Sequence, residues 1–200
     1  MKAAGKRRIP WLDWKANDVN VMNRAYAYMI DWAIGGIVTG FPGVLLYAAV
    51  TGRSDMYTEI YAFPSLGYSS GWAYLSCLLS MAAYLIYFVA VPLRVWPGQT
   101  LGKKWMKLQI VRTDGSLPDL KSLLMRQVVG LVLLEGSATI MTRYLRQAAT
   151  LASRFYLDGP VLVIGYVITM ASILLALSTP SRRAVHDYIS DTRVISLKQN

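Results

Sequence analysis

The sequence is poor in the residues from which most soluble catalytic and metal centres are built. It has one cysteine, Cys77, and one histidine, His186. A single thiol excludes an internal disulfide, and one thiol with one imidazole falls short of a zinc or iron–sulfur ligand set. No cofactor and no metal are expected. Charge is scarce as well: 16% of the 200 residues are charged against 54% hydrophobic, and the mean hydropathy is +0.36. That balance argues against an ordinary soluble domain and fits a small membrane protein. Acidic residues are the scarcer sign, 11 against 21 Lys and Arg, for a net charge of +10. In a soluble chain this surplus suggests nucleic acid. Here the basic residues are spread along segments that flank apolar runs, so anionic lipid is the expected partner and nucleic acid is not. Internal repeats and low-complexity tracts are absent.

Four apolar runs stand out, giving an all-α membrane protein with four transmembrane helices near 24–50, 71–93, 122–145 and 160–177. About 20 apolar residues suffice to cross the hydrocarbon. The run from Gly71 to Leu93 carries no charge, whereas the third contains Arg126 and Glu135. Residues 1–23 form a basic leading segment in which Asp13, Lys15 and Asp18 stand where a signal peptide would be apolar. Residues 24–196 form the membrane domain and 197–200 a short tail. With four crossings, 17 of the 21 basic residues fall on the side of the two termini. Both termini are therefore expected in the cytoplasm. Arg143, Arg146 and Arg154 fit this least well. Their stretch, 142–158, reads as an amphipathic helix on the outer surface or an extension of the third helix.

Two acids lie within the runs. Asp31 is seven residues after Arg24, two turns along one helix face, and an ionised carboxylate there must face protein or water. Its expected charge partners are Arg24 and Arg126, with Arg126 or a water-mediated link the better choice. Asp31 and Glu135 are the candidate ion or proton sites, weighed against a buried ion pair that fixes helix register and a neutral, hydrogen-bonded Glu135. Gly36 and Gly40 supply a small-residue packing face. In the connection from Arg94 to Lys121, Leu101, Trp105 and Leu108 form a stripe beside Lys103, Lys104 and Lys107. The pattern predicts a basic helix on the inner leaflet, with Lys103, Lys104, Trp105 and Lys107 at the lipid surface. Gln109–Arg112 and Val194–Leu197 are β-prone and predict a small two-stranded pairing. His186–Asp187 comes with no nucleophile motif or metal set, so an enzyme is not expected.

Taken together, three segments resemble the RDD family of small bacterial membrane proteins. The first is Arg24-Ala25-Tyr26-Ala27-Tyr28-Met29-Ile30-Asp31. The second begins at Gly98-Gln99-Thr100-Leu101-Gly102-Lys103-Lys104 and runs through Leu108–Val111 to Asp114-Gly115 and Arg126. The third is Arg182-Arg183-Ala184-Val185-His186-Asp187 with Thr192-Arg193-Val194. The resemblance places the family's second aspartate at Asp187 and spans roughly residues 20 to 196. Lys107 departs from it, standing where a small residue is common, and the stretch 142–158 is longer than usual. The resemblance implies an intramembrane-acid protein for which cation or proton transport has been proposed. The competing expectation is an accessory or assembly subunit, either way as a homo-oligomer or within a membrane complex.

Overall fold

The computed structural model describes residues 12–136 and 139–197. The basic residues before position 12, the small residues Ser137 and Ala138, and Lys198 with the end of the expected tail lie outside the described residues. Three helices are long and apolar enough to cross a membrane: α1, Val21–Thr51; α3, Ser70–Leu85 continued to Val95; and α7, Asp158–Ser178. All three lie where the first, second and fourth apolar runs predict. Asn20 caps α1 by accepting from the Met22 N–H, and Gly52 ends it in the left-handed conformation at φ 67. From Ile86 to Val95 the third helix winds in wider π turns.

The third apolar run departs from expectation. Instead of one helix over 122–145, α5 (Leu120–Leu124) continues in π turns to Leu134, the chain breaks, and α6 restarts at Ile140 and runs to Ser153. Protein groups mend the break, as a low-dielectric setting requires. The Glu135 carbonyl accepts from the Thr169 hydroxyl at 2.5 Å, and the Gly136 carbonyl from Arg146 Nη1 at 2.6 Å. Thr139 and Thr142 form a capping box at the restart. α6 is not a surface helix. Ile140 reaches Gly36 and Gly40 in the middle of α1, and Tyr144 is buried among Tyr47, Tyr57, Phe63 and Met141. A Cβ at Gly43 would stand 2.8 Å from Ser76 Oγ and 2.9 Å from the Tyr57 ring, so the aromatic cluster closes on α1 only because that residue is glycine.

The other end of the bundle is polar. There the short α4 (Leu101–Trp105) and α8 (Val185–Ile189) pack against α1 and the π-wound part of α5. The expected two-stranded pairing is present: β1 (Leu108–Arg112) runs antiparallel to β2 (Thr192–Ser196), with Ile110 opposite Val194. α2 (Ala62–Ser65) is a single turn in the loop at the far end. The described part of the leading segment, from residue 12 onward, is tied down here too. Asn17 donates to the Val194 carbonyl at 2.8 Å, and Asp13 meets Arg183 and Arg193 at 3.5 and 3.4 Å.

The expected basic surface helix is corrected. α4 is only five residues long, and Leu108 lies in β1, fully buried, rather than on a lipid-facing stripe. Lys103 turns inward, Lys104 sits 4.1 Å above the Trp96 ring, and Trp105 is exposed. Lys107 adopts φ 54 to turn the chain into β1. Glycine, and less often Asn or Asp, adopts this region without strain, so lysine is an unusual residue for such a turn.

Candidate polar site in the membrane domain

Asp31 is buried, on the face of α1 that meets α4. Its Oδ1 accepts the Gly102 N–H at 2.9 Å and the Tyr87 hydroxyl at 3.1 Å, and its Oδ2 accepts Thr100 Oγ1 at 2.5 Å and Lys103 Nζ at 2.9 Å. The Gly98–Lys104 segment is built for this approach. Gly98, at φ 72, closes a turn whose carbonyl takes the Ile110 N–H at 2.7 Å. The Gln99 side chain donates to the Leu108 carbonyl, tying the turn to β1. At Gly102 a Cβ would fall 2.3 Å from the Ala27 carbonyl and 2.9 Å from Asp31 Oδ1, so any side chain there would push α4 off α1. Asp114 and Gly115 form the turn after β1, the Asp114 carboxylate accepting from the Ser116 N–H and hydroxyl at 2.8 and 2.6 Å.

The partners expected for Asp31 serve another acid. Arg24 and Arg126 both bind Asp187, which is completely buried and also accepts the Ala184 N–H at 2.8 Å. Arg126 extends to Thr192 Oγ1 at 2.8 Å, joining α5, α8 and β2 at one point. Although burial opposes ionisation of Asp187, the guanidinium groups of Arg126 and Arg24 hold its carboxyl well below the ordinary carboxylate range. Glu135, at the helix break, forms a third group. Its Oε1 accepts from Ser172 Oγ at 2.7 Å and from the His186 backbone N–H at 3.1 Å, and it stands 2.9 Å from His186 Nδ1. Gly130 allows α8 this close, because a Cβ there would lie 2.6 Å from that of His186.

Burial first, and then the positive Arg126, push His186 below its ordinary 6.5, more than Asp187 and Glu135 hold it up. The folded protein therefore binds fewer protons at His186 than the unfolded chain does, and stability is lost as pH falls from 6.5 toward the depressed value. Thermal unfolding followed from about pH 7.5 to about pH 5 is expected to show this slope, and His186→Gln to flatten it. A slope that the substitution leaves unchanged would count against the assignment.

With His186 neutral, three cations (Arg24, Lys103, Arg126) balance three carboxylates (Asp31, Asp187, Glu135). Arg24, Asp31, Lys103, Arg126 and His186 all border one cavity of about 90 Å³, several times the space a water needs. Sequence reasoning located Asp31, Glu135, Arg24 and Arg126 but missed Lys103, Thr100 and Tyr87 as the groups that hold Asp31. One available signal was the i, i+3 spacing of Thr100 and Lys103, which puts both on one side of a helical turn. Among the described residues no cluster of three or more His, Cys, Asp or Glu could hold a metal.

Long apolar helices with a buried, balanced set of ionic groups gathered at one end define a multi-helix membrane protein with a charge network at one end of its bundle. Its sequence carries the identity one step further: the RDD family profile matches residues 19–191, and the chain belongs to the RDD family. No curated protein and no solved structure matches it.

Proposed function

We propose that the protein moves a monovalent cation or a proton across the bacterial inner membrane, with Asp31 as the exchange group, and that it catalyses no covalent chemistry. The observation that carries this reading is the Asp31–Lys103 pair at the cavity wall. Three of the four donors to Asp31 are fixed or neutral, whereas the fourth is an ammonium on a flexible stem. An incoming cation can take the place of Lys103 beside the carboxylate, and a proton on Asp31 would release Lys103 in the same way. Because the network is neutral at rest, taking up one positive charge favours giving up another. Tyr28, Trp32, Tyr84, Phe88 and Thr139 border both this cavity and a wide groove between α1 and α7, so the two spaces share a wall.

In this reading α5 and α6 cross together as a discontinuous fourth span and both termini face the cytoplasm, an orientation supported by the positive charge concentrated at the polar end. Proteoliposomes with a trapped pH-sensitive dye test the proposal. A gradient of alkali cation is expected to drive proton movement, and Asp31→Asn to reduce it to the rate of protein-free vesicles. Undiminished flux in that variant would remove Asp31 from the role.

One observation favours a second reading, an accessory subunit or oligomer. The apolar window of α7 is only 11% buried, against 28% for α1 and 33% for α3, so α7 offers the most free surface to a partner. A wild-type protein that moves no ion and purifies in mild detergent with a different chain would favour it.

A further inference from the structure

The groove between α1 and α7 has a volume of about 1110 Å³. Trp32, Ile37 and Phe41 of α1 wall one side, Leu162 and Tyr166 of α7 the other, and α6 forms the floor. Walls that belong to two membrane-spanning helices make the groove accessible from the acyl layer. Its polar lining is distinctive. Arg146 is neutralised by Asp158 at 2.8 Å, but Arg143 and Glu59 also line the groove, and neither enters an ion pair among the described residues.

The depth of Arg143 makes its missing counter-charge informative. The next residue along α6, Tyr144, packs against Gly43, which lies about 12 Å before the end of α1 at about 1.5 Å per residue. An arginine at that level is costly among lipid tails, and its stem can carry the guanidinium outward to the level of lipid phosphates. A planar guanidinium matches a phosphate through paired hydrogen bonds. Glu59 offers an anion in the same groove. A headgroup that satisfies both carries a phosphate followed by a hydrogen-bonding ammonium.

We infer that this groove binds a phospholipid with a phosphoethanolamine headgroup, its phosphate on Arg143, its ammonium on Glu59 and its acyl chains between α1 and α7. A choline headgroup carries positive charge but has no N–H to donate to Glu59, and a glycerol headgroup has no cation at all. The bound lipid closes the open side of the groove, which a thin helical bundle leaves uncovered. The assignment stands on the groove alone and is independent of any role for Asp31 in transport.

Native mass spectrometry of the full chain in detergent, supplied with equal amounts of phosphatidylethanolamine, phosphatidylglycerol and phosphatidylcholine, tests it. The wild type is expected to retain phosphatidylethanolamine several-fold over the other two. Arg143→Gln should lower retention of that lipid about tenfold, as expected for loss of a charge-assisted hydrogen bond, and Arg143→Lys should restore part of it. Glu59→Gln should leave phospholipid bound but abolish the preference for ethanolamine over choline. Equal retention of the three lipids, a preference for phosphatidylglycerol, or retention unaffected by Arg143→Gln would overturn the assignment. So would displacement by soluble glycerophosphoethanolamine, which lacks the tails, or a lipid-free dimer with the groove filled by a second copy. Both positions are exposed, and an unchanged thermal midpoint confirms that each variant folds.

Discussion

Asp187→Asn is expected to cost about 3 to 5 kcal/mol of stability, the range for removing one partner from a buried ionic group, and to leave little folded protein in detergent. The acid is completely buried between Arg24 and Arg126. Without its charge, Arg126, which is also buried, keeps a positive charge and loses the group that offset it. Asparagine cannot accept from both guanidinium groups and the Ala184 N–H while keeping its amide hydrogens satisfied. The loss spreads because these contacts gather the start of α1, the π-wound part of α5, α8 and β2 at one point. Thermal unfolding of purified wild type and variant is the check. A midpoint within a degree or two of wild type would show that the three-way contact is dispensable. The depressed proton affinity of Asp187 adds a pH prediction of definite sign. Its contribution is present above about pH 3.9, the unfolded value, and is lost as pH falls through the lower folded value.

The second large effect is asymmetric. Lys103→Met leaves the Asp31 carboxylate buried with dipolar donors only and is expected to cost about 3 kcal/mol, the low end for an uncompensated buried charge. Asp31→Asn should cost less, because the Lys103 side chain is 15% exposed, against 4% for Asp31, and can swing its ammonium toward water. A cost as large for Asp31→Asn as for Lys103→Met would mean that the carboxylate holds α4 in place mainly through the Gly102 and Thr100 bonds.

How far these features can be read from sequence depends on the distance over which they are built. α1, α3 and α7 are long, predominantly apolar runs, and the β1–β2 pairing comes from two short β-prone stretches, so local composition suffices for each. The break between α5 and α6 is invisible to hydropathy, because Gly136, Ser137 and Ala138 in the sequence are as small and uncharged as a helix-packing face. The groups that repair it, Arg146 and Thr169, lie well along the chain. Asp31 was recognisable as an acid that must face protein, and it does. Its partner was sought among arginines at the right depth, yet it comes from a short helix that folds back against α1, carrying Thr100, Gly102 and Lys103 together. Arg24 and Arg126 are buried ionic residues as expected, but they converge on Asp187, an acid the family resemblance marked without giving its contacts. The pairing of Glu135 with His186 depends on Gly130 letting α8 approach, a fit that appears only once the chain is folded.

A double-mutant cycle on Asp31 and Lys103, read by thermal or denaturant unfolding of the purified protein, tests most directly whether the acid in the first span is neutralised by protein rather than by water or lipid. Asp31→Asn, Lys103→Met and the double variant are compared with wild type. Direct pairing predicts that the double variant is more stable than Lys103→Met alone, with a coupling energy of about 2 kcal/mol or more. Additive losses, with coupling within about 0.5 kcal/mol of zero, would contradict it.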